Sequence, residues 1–203
     1  MKTVVIFGGT FDPVQLGHLA VAEQSHDGLQ PDEFWFLVAN VPGERKPVYA
    51  PAGIRLAMVR AAIADDPRFA ANDLEIRRGG VTYTAETMSD LHRLEPDTSF
   101  RLLLGADSAR SINEWRYGDV LLREESFVVV NRAGEEQVTP DDLTRLGYDA
   151  ARLRLLQVDA PAVSASEVRG RAGRGESLDG LVPPAVAAII AREQLYAQPR
   201  ARA

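Results

Sequence analysis

The chain of 203 residues carries 29 acidic and 23 basic side chains, a formal charge of −6, with 45% hydrophobic and 26% charged residues. These proportions supply a sizeable core and exclude a largely disordered chain, and the acidic balance argues against a general nucleic-acid binder, which wants a basic face. With no apolar run near the roughly 20 residues of a membrane span, no signal-peptide pattern after Met1 and no cysteine, the chain is expected to be cytoplasmic, without a membrane partner, disulfides or a thiolate metal site.

Residues 3–7 form a short apolar run closed by Gly8-Gly9, the pattern of a buried strand. A helix is expected over residues 17–29 and a second strand over 34–38, with Trp35 in the core. Pro51 then starts a helix with Ile54, Met58, Ala61 and Ala62 at helical spacing. A brief third strand is predicted at residues 74–76, and a helix at 84–94 with Met88 and Leu91 inward, stopped before Pro96. Further strands fall at 100–104, 127–130 and 153–158, a helix starts near Thr139-Pro140, and residues 183–195 close the chain as a helix. Repeated strand–helix units predict an α/β fold: a doubly wound, mostly parallel sheet with a small C-terminal helical part. One domain over residues 1–203 is expected, with a frayed tail from about 197. Ligands of such sheets collect beyond the C-terminal strand ends.

The first strand leads into Gly8-Gly9-Thr10-Phe11-Asp12-Pro13, and His18 falls at the start of the next helix. Paired glycines let the backbone approach a ligand closely, and free N–H groups at a helix start favour anions. No Walker loop and no G-x-G-x-x-G are present. All but two of the 23 basic residues are arginine, so Lys46, in a loop candidate, stands out. Taken alone, each feature has a structural reading: a turn for the glycines, a helix cap for Gly105-Ala106-Asp107, a capping box for Ser164-x-x-Glu167, a core position for Trp115. His26 and His92 lie outside any motif and are expected on solvated helix faces.

Together the strings are more specific. Gly8-Gly9-Thr10-Phe11-Asp12-Pro13 followed by Gly17-His18 resembles the nucleotidyltransferase superfamily with the H/T-x-G-H signature. Gly79-Gly80-Val81-Thr82-Tyr83-Thr84-Ala85-Glu86-Thr87, Gly105-Ala106-Asp107 with Trp115, and Val163-Ser164-Ala165-Ser166-Glu167-Val168-Arg169 resemble, in order, motifs of the bacterial nicotinate-nucleotide adenylyltransferases. The resemblance implies a Rossmann-like nucleotidyltransferase that moves the adenylyl group of ATP onto nicotinate mononucleotide, giving deamido-NAD and pyrophosphate, with Mg²⁺ carried by the ATP phosphates and no protein-held metal. It implies that Gly8, Gly9, Thr10 and Phe11 line the ATP site, that Gln15 faces its phosphates, and that His18 donates to them through the transition state. It implies that Gly105 and Asp107 meet the ribose, and that Ser164, Ser166 and Arg169 bind the phosphates at a helix start. For the acceptor it implies stacking on Trp115, carboxylate binding by the Tyr83 and Thr84 backbone, and phosphate contacts from Asn40 and Lys46. His18, Lys46 and Arg169 are the implied catalytic set.

The sequence departs from the pattern at Gln15 (His or Thr in the signature), at Ala165 and Ser166, and at Arg45, where the family's P-H-K has histidine. Pantetheine-phosphate and nicotinamide-nucleotide adenylyltransferases, and a non-catalytic nucleotide-binding sensor, remain alternatives at this level. A homo-oligomer stays open.

Overall fold

The computed structural model describes residues 1–43 and 47–197. Its strands are β1 (Lys2–Gly9), β2 (Glu33–Val38), β3 (Val41–Pro42), β4 (Phe69–Asn72), β5 (Val81–Thr82), β6 (Thr98–Gly105), β7 (Ser126–Arg132) and β8 (Leu153–Val158). Six of them form one sheet in the order β4-β2-β1-β6-β7-β8 with every pair parallel, and β3 and β5 make a separate short parallel pair. The chain builds β1, β2 and β4 outward in one direction and then returns to lay β6, β7 and β8 on the other side of β1. The crevice between β1 and β6 is therefore the topological switch point, where open α/β sheets bind ligands.

The helices are α1 (Leu16–Leu29), α2 (Ala52–Ala62), α3 (Leu74–Arg78), α4 (Thr84–Leu94), α5 (Ala106–Arg110), α6 (Gly118–Glu124), α7 (Pro140–Arg145), α8 (Ala165–Arg174) and α9 (Pro184–Arg192), with a single 3-10 turn at Ile112–Glu114. They cover both faces of the sheet, which explains the unbroken apolar strand runs. Val5, Phe34, Phe36 and Val128 pack against α1, α2, α8 and α9 through Val21, Met58, Val168 and Ile190. Val4, Ile6, Trp35 and Val129 face the other side, against Met88, Ala109, Leu121 and Leu143 of α4 to α7. No helix among the described residues is long and apolar enough to cross a membrane.

Several expectations need correction. Residues 74–76 are helical: the Asn72 Oδ1 accepts from the Leu74 N–H at 2.9 Å and starts α3, and the edge strand is instead Phe69–Asn72, paired with β2. The Ile54, Met58, Ala61 and Ala62 stripe of α2 does pack on the core, with Met58 fully buried, but the buried face is wider and also takes in Arg55, Leu56 and Val59. His26 and His92 are not simply solvated: His26 sits edge-on to Phe69, and His92 lies 3.1 Å from the Glu125 carboxylate and against Phe100. Lys46 and the tail from 198 onward lie outside the described residues.

Arg55 is fully buried, and its guanidinium is spent on backbone. It donates to the carbonyls of Ala50 at 3.0 Å, Thr10 at 2.7 Å, Ala39 at 2.6 Å and Asn40 at 2.5 Å. One side chain of α2 therefore ties the loop after β1 to the loop after β2. Removing it strands several buried carbonyls at about 1–3 kcal/mol each. Arg55→Met is expected to lower stability by roughly 3–5 kcal/mol, read as a reduced urea midpoint, with Arg55→Lys recovering part of the loss. A midpoint unchanged in both variants would show that the carbonyls find other donors.

Candidate active site

At the switch point the strand ends open into a cleft of about 750 Å³, a size suited to small-molecule ligands. Its walls bring together Gly8, Gly9 and Thr10 from the end of β1, Tyr83 and Thr84 at the start of α4, Asp107 of α5, and Trp115 and Arg116 after the 3-10 turn. Gly9 is required by packing, because a Cβ there would sit 2.8 Å from the Phe11 ring. Gly8 has no neighbour within 4 Å of such a Cβ, so its bareness keeps cleft space open. The Phe11 side chain is not on the wall; it is buried against Phe7, Phe36 and His18, with its backbone held at a φ of 49°.

Beside this cleft the starts of α1 and α8 meet. The Gln15 amide joins them, donating to the Val163 carbonyl at 2.8 Å and accepting from the Ala165 N–H at 2.7 Å in the orientation that pairs both ends. Buried Gln15 is thus committed to the α8 start, whereas the sequence pattern had it facing phosphate. The Ser164 Oγ caps α8 by accepting from the Glu167 N–H at 3.1 Å and lies 3.1 Å from the Ser166 Oγ. The box is half formed, since the Glu167 carboxylate turns instead to Arg171 at 2.9 Å. Arg169 donates one N–H to the Asp12 carbonyl at 2.9 Å and lies over the Tyr49 ring at 4.3 Å. The Asp12 carboxylate is itself occupied, accepting from the Tyr49 N–H at 2.7 Å and the Tyr196 hydroxyl at 2.7 Å. It is a structural hub and not a free base.

The Gln15 backbone N–H donates to the His18 Nδ1 at 3.1 Å. An amide can only donate, so Nδ1 is bare and the ring proton resides on Nε2. Burial, and then the nearby positive charge of Arg132, push the His18 pKa down to about 4. His18 is therefore a neutral donor near pH 7. Arg132, at the end of β7, is paired with Glu135 at 2.9 Å and was not singled out by any sequence motif.

On the opposite wall, α4 has no side-chain cap, leaving its first-turn N–H groups at Tyr83 and Thr84 unclaimed within the helix. Behind it Glu75, buried and on the cleft wall, accepts from the Thr87 hydroxyl at 2.7 Å, and Arg78 donates to the same hydroxyl at 2.9 Å while pairing with Asp90 at 3.0 Å. Burial raises the Glu75 pKa against the lowering effect of these donors. Glu75 was hidden in a segment read as strand, and Arg78 lies just beyond it. The Asn40 amide donates to the Gly80 carbonyl at 2.8 Å, fastening the loop after β2 to β5. Asp107 is exposed and pairs with Arg110 at 2.8 Å; Gly105 ends β6 and precedes α5. Trp115 is half-buried, its indole N–H 3.3 Å from the Ser111 hydroxyl.

The chain matches the cytidylyltransferase-like family over residues 6–171. Probable nicotinate-nucleotide adenylyltransferases of Exiguobacterium sibiricum, Bordetella petrii and Symbiobacterium thermophilum are 36%, 38% and 39% identical to it, over 95%, 97% and 97% of this chain and 97%, 100% and 96% of theirs. The fold is similar to that of the Plasmodium falciparum nicotinic acid mononucleotide adenylyltransferase complexed with NaAD, with a TM-score of 0.82 at 20% identity, covering 97% of this chain and 98% of that one.

The low His18 pKa has a measurable sign. A folded value of about 4, below the unfolded 6.5, means that protonation favours the unfolded chain. The His18 contribution to stability is complete above pH 6.5 and is lost as pH falls toward 4. In the ligand-free protein the His18 ring resonances, assigned by comparison with His18→Gln, are expected to stay flat from pH 8 to about 5.5. A midpoint near 6.5 would contradict the half-buried neutral imidazole.

Proposed function

Because the chain belongs to the nicotinate-nucleotide adenylyltransferases of the cytidylyltransferase-like family, we propose that it transfers the adenylyl group of ATP to nicotinate mononucleotide, releasing pyrophosphate and giving deamido-NAD. The observation that carries this reading is the cleft shared by the Gly8–Thr10 loop and the Tyr83, Thr84 and Trp115 wall. The P. falciparum relative of the same fold is complexed with NaAD, a molecule that joins the two halves such a cleft would hold.

The attacking oxygen of the mononucleotide phosphate is already anionic, so the chain needs to supply neither a base nor a covalent nucleophile. Its residues position two phosphates in line and stabilise charge that grows on the departing pyrophosphate. In this reading the triphosphate lies along Gly8, Gly9 and Thr10 toward the starts of α1 and α8, where His18 donates its Nε2 proton and Arg169, Ser164 and Ser166 add donors. Gln15 acts on the phosphates through the helix start it holds. Phe11 shapes the loop from beneath. Gly105 and Asp107 face the ribose, Trp115 takes the pyridine ring, and the first-turn N–H groups at Tyr83 and Thr84 take its carboxylate. Asn40, through the loop it fastens, and Lys46 serve the acceptor phosphate.

Mg²⁺ is proposed to arrive on the ATP phosphates with its waters, as is usual for an ion that dehydrates reluctantly; among the described residues no group of three or more His, Asp or Glu gathers. Bound there, the ion neutralises phosphate charge. Both substrates being nucleotides, the proposed setting is the cytoplasm.

Pyrophosphate release with ATP–Mg²⁺ and nicotinate mononucleotide, nicotinamide mononucleotide or phosphopantetheine in turn tests the assignment; turnover fastest with phosphopantetheine would overturn it. His18→Ala is expected to fold and to lose on the order of 10²–10³ in kcat, the usual cost of a preorganised donor to developing charge. Trp115→Ala is expected to raise KM for nicotinate mononucleotide about five- to 150-fold, the worth of one aromatic stack, with KM for ATP little changed. A larger change on the ATP side would move Trp115 to the adenosine half.

A further inference from the structure

We propose that Arg116 is a specificity-determining residue: its guanidinium binds the carboxylate on the acceptor's pyridine ring and so favours the acid over the amide mononucleotide. This deepens the functional reading above and rests on it.

Arg116 lies on the cleft wall with Tyr83, Thr84 and Trp115. Its guanidinium carbon is 4.5 Å from the centre of the Tyr83 ring and 5.1 Å from that of Tyr117, and one of its N–H groups donates to the Tyr117 hydroxyl at 3.1 Å. Two flat rings thus orient a planar cation without neutralising it. Surface arginines elsewhere in this acidic chain, such as Arg68, Arg77, Arg110 and Arg145, pair with carboxylates. Among the described residues Arg116 has none at ion-pair distance; its partners are the tyrosines.

The turn that presents it is built for the purpose. The Gly118 N–H closes onto the Trp115 carbonyl at 2.9 Å, and Tyr117 is held at a φ of 61°. A Cβ on Gly118 would stand 2.0 Å from the Ile112 carbonyl oxygen, so only glycine fits. The turn thereby sets the backbone of Trp115 and Arg116, while the tyrosine rings orient the exposed guanidinium: the indole that would take the pyridine ring and the fork that would meet the ring's substituent.

Chemistry makes the pair selective. A guanidinium has five donors and no acceptor, and a carboxylate can accept two of them side by side. A carboxamide offers one acceptor and turns an NH₂ toward donors, leaving that group unpaired. A lysine would keep the charge and lose the fork.

The test measures kcat/KM for nicotinate and nicotinamide mononucleotide at saturating ATP–Mg²⁺ in the wild type, Arg116→Ala and Arg116→Lys, with calorimetric binding of both mononucleotides alongside. Loss of a charge-assisted contact is worth about 10- to 150-fold. Arg116→Ala is expected to lower kcat/KM for the acid by at least about tenfold, chiefly through KM, and to weaken acid binding equally. The amide and KM for ATP should stay within about twofold, and Arg116→Lys should recover part of the loss. Equal losses for acid and amide would place Arg116 on the acceptor phosphate, and unchanged acid values would make it a solvated side chain; either overturns the proposal. Absence of wild-type turnover with both mononucleotides would instead count against the functional reading, while the binding ratio still reports on Arg116.

Discussion

A charged side chain taken wholly out of water is costly unless every donor is used, and the cleft depends on one such group. Arg55 reaches from α2 beneath the loops that follow β1 and β2 and holds four carbonyls, including those of Thr10 and Ala39 just past the ends of these neighbouring strands. The effect extends further along the first loop, because Asp12 gathers Tyr49, Ala50 and the C-terminal Tyr196. The same residue's carbonyl fixes Arg169. The backbone that would approach ATP is therefore braced from below by Arg55 and from the side by Asp12. Preorganised geometry of this kind lets positioning take the place of acid–base chemistry.

Charge is distributed by the same logic. Most arginines of the surface are balanced by carboxylates, an arrangement worth little energetically but one that leaves them no strong claim on a ligand. Arg169 and Arg116 are held differently, against a tyrosine ring and a carbonyl in one case and against two tyrosines in the other. One belongs to α8, whose start meets that of α1, and the other follows Trp115 on the cleft wall. His18 adds a neutral donor between α1 and the aromatic group of Phe7 and Phe11. Helix N-termini supply partial positive charge without a counter-ion. An anionic pair of substrates bound as proposed would thus meet donors that are not already neutralised.

Much of this was legible in the sequence because periodicity and punctuation agree with tertiary packing. The helix at Thr84–Leu94 and the strand at Leu153–Val158 have the limits their patterns suggested, and the parallel sheet followed from alternating elements. The errors share a physical origin. Phe69–Asn72 is a strand by virtue of its partner, β2, and carries too little apolar signal of its own. Leu74 to Ile76 carries that signal but follows a turn, closed by the Asn72 side chain on the Leu74 N–H, that leads into a helix. Arg55 was invisible because an arginine on the inner face of a helix reads as a surface residue until the carbonyls it serves are known. Glu75 was hidden for a related reason, its partners lying on α4. Neither the His18 tautomer nor its lowered pKa could be read from residue order, since the first depends on the Gln15 N–H and the second on burial and then on Arg132 from a distant strand.

Gln15 shows why a departure from a motif need not be a loss. The signature position is usually considered for its charge toward phosphate, and by that measure glutamine is a weak substitute. In the fold the position is buried and lies where two helix starts converge, and both backbone groups it meets belong to the other helix's entry, a carbonyl at Val163 and an N–H at Ala165. An amide serves both at once with its own donor and acceptor, and a protonated imidazole there would have no acceptor to offer the N–H. With Ala165 contributing through its backbone alone, the side-chain change at that position costs this contact nothing. The two departures that suggested a non-catalytic protein thus belong to one hydrogen-bonded junction, and that junction keeps α1 and α8 aimed at the same space.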